Sequence, residues 1–369
     1  MALDQTPAAA QPHAFAVLLD RLAEDRHDHL GWVLTPSSLI ETMVRLADPQ
    51  PGETVVDPCC GYGELLVGAG LYSTRNGDRR GAELRAVVHD ERARRLTMMN
   101  AQADHLTIDV EVGADHVLRT FPDGSPGRWT RADVVLTNPP FTRADWTDED
   151  PARQGAWPYG PPPRHEAAFA WLQIAQAALT SSGRAVVVMP PHSLRPRNPR
   201  ERRILRNMVE DGVVRCVIDL PGRMFRETST PVSIWVLGGP QPQTDRGVLL
   251  IDARDTTSGE GSTHRVLDAA GKDRILKVWN AWSTGQAADE PGFCAAPSRS
   301  EIRDRSYVLT PSSCVRPAST PSGLPGPARH DPRTLAELHG ELVRLHEHAR
   351  HLDASVDAQL TRIFRGGRS

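Results

Sequence analysis

The sequence is poor in lysine and has no excess of basic residues. Its 369 residues contain 43 Lys and Arg against 46 Asp and Glu, a formal net charge of −3. Only Lys272 and Lys277 are lysines, so almost every basic side chain is arginine. A chain that binds nucleic acid alone is usually more basic. If nucleic acid is the substrate, the basic residues are locally concentrated or a partner supplies much of the phosphate contact.

Cysteine and long apolar runs are also scarce. The five cysteines form no pair of CxxC motifs and no cluster with spaced histidines, which argues against both a zinc site and a disulfide framework. No run approaches the roughly 18 apolar residues that a membrane span needs. The first residues lack a cationic start followed by an apolar core. We therefore expect a cytoplasmic protein without a metal site or membrane attachment.

Short apolar stretches alternate with helical patterns through most of the chain. We predict strands over 53–57, 84–90, 110–112, 132–136, 184–189, 214–220, 232–238 and 247–252. We predict helices after Thr35-Pro36 and over 64–75, 91–104, 166–180 and 200–211. This alternation indicates an α/β fold with a mostly parallel sheet. The late strands lack a long helix between them, which indicates an antiparallel edge.

The two ends of the chain differ from this central part. We predict an N-terminal helical leader over residues 1–30, the α/β domain over 31–316, and a Pro-rich linker over 317–332. Residues 333–365 carry apolar side chains at heptad spacing, which favours a coiled-coil helix for a partner. The alternative is a helix that packs back on its own domain. The Pro-rich loop over 142–165 is long enough to predict a functional role.

The first chemical motif is Asp57-Pro-Cys-Cys-Gly61-Tyr-Gly63, between a predicted strand and a predicted helix. Glycines there let the backbone approach a ligand at the carboxyl edge of the sheet. The Asp57 carboxylate is suited to holding an ammonium group. A glycine turn alone is a weak signal, and a purely structural turn is the alternative.

The second motif is Asn138-Pro-Pro-Phe141, at the end of a later predicted strand. Prolines stiffen the backbone and cannot donate, so their carbonyl oxygens stay free as acceptors. The Asn138 amide oxygen and the Pro139 carbonyl are positioned to accept hydrogen bonds from one amino group. An ordinary strand-terminating turn is the less favoured interpretation.

Together these motifs resemble the S-adenosylmethionine-dependent methyltransferases that modify adenine in DNA, and most of all the modification subunit of type I restriction–modification systems. The resemblance runs from about Leu30 to the C-terminus. It rests on Thr35-Pro36, Asp57 to Gly63, Asn138 to Phe141, Tyr159 to Arg164 with Ala167 to Phe169, Leu220 to Phe225 with Thr228 to Leu237, and residues 298–315. RNA and protein-glutamine methyltransferases share the tetrapeptide alone, whereas the other segments favour the DNA enzymes.

The resemblance implies a Rossmann-like class I fold and a site-specific DNA-methyltransferase acting on the N6 atom of adenine. It implies a cofactor site for S-adenosylmethionine at Thr35, Pro36, Asp57, Pro58, Cys60, Gly61, Gly63, Asp90 and Asp115. It implies Asn138, Pro139, Pro140 and Phe141 as catalytic residues, with Phe225 and Arg164 on the substrate side. Glu83 is the alternative to Asp90 for the ribose hydroxyls.

The resemblance also implies double-stranded DNA as substrate, a specificity subunit bound through the 333–365 helix, and a restriction subunit as a further possible partner, in a restriction–modification or related defence complex. The chain departs from the family at Leu34, Tyr62 and Glu64, and lacks the family's large N-terminal helical domain. Two alternatives therefore stay open. One is methylation of RNA or of protein glutamine, and the other is a methyltransferase-like scaffold subunit without turnover.

Overall fold

The chain is built around one large sheet, seen in a computed structural model. The structure describes residues 34–75, 77, 80–113, 131–141, 157–163, 166–225, 228–241, 246–258 and 265–315. The predicted leader (1–30), linker (317–332) and partner helix (333–365) lie outside these ranges. So do most of the 142–165 loop and the predicted site residues Asp115 and Arg164. None of the helices in these ranges is long and apolar enough to cross a membrane.

The strands are β1 (Thr54–Cys60), β2 (Glu83–Val88), β3 (Ile108–Val112), β4 (Ala132–Thr137), β5 (Leu179–Met189), β6 (Val214–Asp219), β7 (Ser233–Gly238), β8 (Leu249–Asp252), β9 (Thr257–Ser258), β10 (Val266–Leu267) and β11 (Cys294–Ala295). The helices are α1 (Ser37–Ala47), α2 (Glu64–Ser73), α3 (Glu91–Ala103), α4 (Ala168–Ala177), α5 (Pro199–Glu210), α6 (Ala269–Ser283) and α7 (Arg299–Asp304). Two 3₁₀ turns cover Pro191–Leu194 and Pro311–Ser313.

Nine strands form the main sheet in the order β11-β8-β6-β7-β5-β4-β1-β2-β3. Strands β1 to β6 and β8 run in one direction, and β7 and β11 run in the other. The central strands are covered on both faces, so their sequences are almost continuously apolar. Two apolar clusters of buried side chains result, one containing Val55 and Val186, the other Val56 and Val187.

Helix α5 shows how local sequence directs these elements. Asn198 caps its start by accepting the Arg200 N–H at 2.9 Å, and Pro199 occupies the first turn, where no N–H is needed. Ile204, Leu205, Met208 and Val209 lie on one face and are buried. The helix therefore covers the sheet with an apolar stripe while its arginines face solvent.

The predicted alternation of strands and helices is confirmed, with differences at the boundaries. Strand β1 continues past Asp57 through Pro58 to Cys60, because its pairing with β2 shifts register between Asp57 and Cys60. Proline is tolerated in a strand at such an irregularity. Helix α6, helix α7 and the two-residue strands β9, β10 and β11 were not predicted.

The antiparallel strands lie partly elsewhere than the sequence indicates. Strand β7 is in the interior of the sheet, antiparallel to both β5 and β6. Strand β8 is parallel to β6, and the antiparallel edge is β11. A short connection after β6 is enough for an antiparallel neighbour, so β7 inserts between β5 and β6 without a crossover helix.

Candidate functional site

The two predicted motifs meet at the carboxyl edge of the sheet. Strands β1 and β4 are parallel neighbours, with Val55 opposite Val134 and Val56 opposite Val135. Their ends therefore lie side by side, at the edge where open α/β sheets bind ligands. A pocket opens there, lined by Thr35, Asp57, Cys59, Gly61, Tyr62, Glu64, Leu65 and Asn138.

Asp57 is the buried carboxylate of this pocket. It is 3 % exposed, and its Oδ1 atom accepts the Cys59 N–H at 3.1 Å. The pKa of Asp57 is raised to about 7, because burial outweighs the hydrogen bonds of the Thr137 side chain and the Cys59 N–H, and the nearby Glu64 carboxylate contributes to the rise. A positively charged ligand would restore the ionised form, so the pocket favours cations.

Gly63 ends the glycine turn and begins α2. Its φ of +89° is a left-handed conformation that side chains other than glycine rarely adopt. A Cβ atom there would also lie 3.1 Å from Thr97 Cγ2. The second glycine of the motif is therefore required by both backbone conformation and packing against α3.

Glu64 is a pocket residue that the sequence analysis treats only as a departure from the family. Its Oε2 atom accepts the Tyr62 N–H at 3.1 Å, and burial raises the pKa of its carboxyl group. The carboxylate thus closes the glycine turn onto the start of α2. Its position directly after Gly63 was the available signal that it borders the pocket.

Asn138, the first residue of the second motif, is hydrogen-bonded to the segment before α1. Its Nδ2 atom donates to Thr35 Oγ1 at 3.1 Å. This assigned orientation uses the amide nitrogen within the protein and leaves the oxygen as the acceptor for a ligand. The predicted proximity of Thr35, Asp57 and Asn138 in one pocket is thereby observed.

The remainder of the tetrapeptide is held by α4 and the residue before it. The Trp171 indole N–H donates to the Pro140 carbonyl at 3.2 Å, and the Ala167 N–H donates to the Phe141 carbonyl at 3.0 Å. Phe141 is half-buried against the apolar core. These bonds fix the backbone after Asn138 without using the Pro139 carbonyl.

Other predicted site residues lie away from the pocket lining. Asp90 caps α3, accepting the Ala93 N–H at 2.7 Å, and follows β2 at the carboxyl edge. Glu83 begins β2 opposite Thr54, at the other edge of the sheet, so it is not near the pocket. Phe225 is 4 % exposed and packs in the core, so its ring is not presented to a ligand.

The residues beside the Asp57 carboxylate divide between the core and the pocket. Cys60 is 1 % exposed in the apolar core, and burial raises the pKa of its thiol well above the ordinary value. Cys59 lines the pocket instead. Neither cysteine is in a disulfide bond, and Pro58 is buried between Asp57 and Cys59. Pro36 is half-buried and precedes α1.

The fold belongs to the methyltransferase class. A type I restriction–modification methyltransferase subunit from Streptococcus thermophilus superposes with a TM-score of 0.70 at 25% identity, over 83% of this chain and 63% of that chain. The M protein of the EcoKI type I restriction enzyme superposes with a TM-score of 0.60 at 20% identity, over 77% of this chain and 66% of the M protein. A class I S-adenosylmethionine-dependent methyltransferase from Listeria monocytogenes gives 0.55 at 14% identity, over 76% and 80%.

A profile of the family described as N-6 DNA Methylase matches residues 11–322. The chain belongs to this family, which confirms the resemblance drawn from its motifs. The HindI methylase subunit of Haemophilus influenzae is 27% identical over 306 residues, covering 82% of this chain and 68% of that protein. The MjaIX methylase subunit of Methanocaldococcus jannaschii is 27% identical, covering 80% and 53%. The chain thus spans 53% to 68% of the length of these two relatives.

Proposed function

We propose that the chain transfers a methyl group from S-adenosylmethionine to the N6 amino group of adenine in DNA. The observation that carries this proposal is the meeting of Thr35, Asp57 and Asn138 in one pocket at the carboxyl edge of β1 and β4. Family membership and relatives named as type I restriction enzyme methylase subunits support it.

The pocket residues fit the cofactor that the family implies. S-adenosylmethionine carries ammonium and sulfonium groups, and the pocket offers the buried Asp57 carboxyl and the Glu64 carboxyl. When bound, the cofactor supplies an electrophilic methyl group. The Asp57 carboxylate would hold a positively charged group of the cofactor. The left-handed conformation of Gly63 lets the backbone come close to a ligand.

Asn138 and Pro139 hold the acceptor amino group. The N6 nitrogen of adenine is a weak nucleophile because its lone pair is delocalised into the ring. Two acceptors, the Asn138 amide oxygen and the Pro139 carbonyl, favour the tetrahedral form of that nitrogen. The Asn138 amide nitrogen donates to Thr35, and Trp171 of α4 holds the next residue through the Pro140 carbonyl. Both acceptors are thus positioned before the substrate arrives, which is catalysis by positioning and electrostatic stabilisation.

The target base must leave the duplex stack to reach this pocket, and flipped bases are gripped by aromatic faces. Phe141 directly follows the two prolines and is half-buried. Its ring is therefore the stacking surface that we assign to the flipped adenine. Phe225 is buried in the core, so it supports the fold of the loop after β6 rather than the base itself.

Action within a larger complex is part of the proposal. The relatives extend well beyond the aligned region, and the M protein neighbour belongs to a type I restriction enzyme. We assign contact with a specificity subunit to the predicted helix over 333–365. A restriction subunit is a further partner of this type of complex, and a cytoplasmic location stays a prediction of the sequence.

The decisive experiment follows tritium from labelled S-adenosylmethionine into DNA, RNA and protein, with a specificity subunit present. We expect label in the N6 atom of adenine in DNA. The Asn138→Ala variant should lose at least about 100-fold in rate, by analogy with the loss of one positioned transition-state contact, while its cofactor affinity stays within about twofold.

Asn280→Ala is the matched control, because Asn280 is an exposed asparagine on α6. It should methylate DNA at the wild-type rate. Label in RNA or in protein glutamine would overturn the DNA assignment. Cofactor binding without turnover on any substrate would identify a scaffold subunit instead.

A further inference from the structure

A second cleft lies at the amino edge of the sheet, away from the methyltransferase pocket. Strand β7 is antiparallel, so its last residues lie beside the beginning of β6, where Leu237 pairs with Val214, and Gly238 pairs with Arg184 of β5. Together with α6 these strands enclose a cleft of about 230 Å³. We call it the Arg–Trp cleft, after Arg184, Arg215, Arg246, Trp279 and Trp282 in its lining.

Two of its three guanidinium groups form no ion pair with any residue that the structure describes. Arg184 is neutralised by Glu53, through bonds of 2.8 and 2.7 Å. Arg215 donates to the Gln241 side-chain oxygen at 2.6 Å and to the Gly239 carbonyl at 2.8 Å. Arg246 donates to the Trp282 carbonyl. Within the described ranges neither Arg215 nor Arg246 forms an ion pair, so both guanidinium groups offer positive charge to a ligand in the cleft.

The surroundings of Arg215 show the cost of this charge. Burial, and to a smaller extent the neighbouring Arg246 and Arg299, lower the pKa of Arg215 to about 10. A partly buried cation is stabilised by an anion that accepts its hydrogen bonds. An anionic ligand would therefore bind where the described acceptors, Gln241 and the Gly239 and Trp282 carbonyls, are neutral.

Gly238 makes room for Arg215. A Cβ atom at position 238 would lie 2.9 Å from Arg215 Nε and 3.3 Å from one of its terminal nitrogens. No backbone atom comes this close to it. The absence of a side chain at this position therefore lets the guanidinium reach over the end of β7 into the cleft.

The other wall is aromatic. The Trp279 and Trp282 rings stack with centroids 5.8 Å apart and an interplanar angle of 27°. The Arg246 guanidinium covers Trp282, 4.2 Å from its ring centroid, and Trp282 is 6 % exposed. Trp279 is only half-buried, which leaves part of its ring available to a planar ligand.

We propose that the Arg–Trp cleft binds a nucleoside phosphate, with its phosphate between Arg215 and Arg246 and its base against Trp279. Guanidinium groups match phosphate oxygens in geometry and charge, and bases stack on aromatic side chains. A cleft of this volume admits one small ligand and excludes a duplex. The site is separate from the one that transfers the methyl group.

Titration calorimetry with the four ribonucleoside monophosphates tests the proposal, using the full chain with S-adenosylhomocysteine in excess to occupy the cofactor pocket. We expect at least one nucleotide to bind at millimolar concentration or below, and more tightly than inorganic phosphate or the free nucleoside. Arg246→Gln should weaken that binding at least about tenfold. Gly238→Ala should also weaken it, since it displaces Arg215 and leaves the charge unchanged.

Arg274→Gln is the matched control. Arg274 lies on α6, the helix that carries Trp279 and Trp282, and its guanidinium stacks over the Phe293 ring, 3.8 Å from the centroid. It forms an ion pair with Glu290 and does not line the cleft. It should bind nucleotide like the wild type. Thermal melting and S-adenosylhomocysteine affinity verify that each variant is folded, since neither substitution touches the methyltransferase pocket.

Three results would overturn the proposal: no nucleotide binds the wild type, both cleft variants bind as the control does, or only a single-stranded oligonucleotide binds. The last result would assign the cleft to a nucleic-acid backbone. Failure of S-adenosylhomocysteine to bind would instead contradict the proposed methyltransferase function, so the two failures are distinguishable.

Discussion

Asp57 carries an electrostatic cost in the free protein. Its pKa rises from an ordinary value of 3.8 to about 7 because the carboxyl group is buried. In the unfolded chain the group ionises near 3.8, so between that pH and about 7 the native state holds the extra proton. Stability contributed by this group is therefore present at acidic pH and lost as pH rises through about 7.

Asp57→Asn removes this cost and should raise the stability of the free protein. A shift of this size corresponds to at most about 4 kcal/mol above pH 7. The amide oxygen can still accept the Cys59 N–H, so the turn keeps its hydrogen bond. The same change removes the charge that holds the cofactor, so we expect weaker S-adenosylmethionine binding, by at least about tenfold. Thermal melting and titration calorimetry between pH 5 and 9 measure the two effects.

Asp133→Asn is the control for this pair of effects. The Asp133 carboxylate accepts from the Thr54 N–H at 3.0 Å and from the Thr180 hydroxyl at 3.3 Å, at the amino edge of the sheet. Cofactor affinity should not change in this variant. Equal stability of wild type and Asp57→Asn across that pH range would contradict the raised pKa.

The element that builds the pocket is the turn from β1 into α2. The glycine pattern predicts a close turn there, and the structure adds the reason for Gly63, which meets Thr97 of α3 as well as adopting a positive φ. Nothing local to the motif reveals the contact with Thr97, because α3 is brought there by the pairing of β2 with β1.

Gly63→Ala should destabilise the protein by more than about 1 kcal/mol, since alanine is strained at a positive φ and its Cβ meets Thr97. Gly285→Ala separates the two causes, because Gly285 has a φ of +87° and a Cβ atom added there would have no neighbour within 4 Å. Chemical denaturation of both variants gives the comparison. If Gly285→Ala costs as much as Gly63→Ala, the contact with Thr97 contributes nothing.

Periodicity finds some elements and misses others for a physical reason. The buried parallel strands are marked by valine-rich runs, such as Val186 to Val188 in β5. Helix α6 carries Ile275, Leu276, Val278 and Trp282 as buried residues behind an Asp268 cap, but polar residues separate them. Strands of two residues, such as β11, contain too few side chains for any period, and only their pairing partners define them.

At the scale of the whole molecule, recognition of DNA is assigned to an assembly. The net charge of −3 leaves the chain without the basic excess of a lone DNA-binding protein. The exposed arginines of α5, Arg200, Arg202, Arg203 and Arg206, are local phosphate candidates on one surface helix. A partner that adds phosphate contacts completes the binding surface in this interpretation.

Truncation after residue 316 should leave S-adenosylmethionine affinity unchanged, because every residue lining the pocket precedes that point. Association with a specificity subunit should weaken at least about tenfold, since the heptad-spaced residues over 333–365 are removed. Gel filtration and calorimetry with that subunit measure both. Undiminished complex formation would contradict the assigned role of the helix.

The sequence by itself determined the family, the alternation of strands and helices, and the two motifs, because these are written in local spacing along the chain. Only the tertiary structure decided that β7 lies inside the sheet, that Asp90 rather than Glu83 lies at the carboxyl edge, and that Phe225 is buried. Those outcomes depend on which distant segments become neighbours when the sheet forms. The same is true of Arg215, Arg246 and Trp279, which share no motif. They meet because the beginning of β6, the end of β7, the segment before β8 and the last turn of α6 lie at one edge.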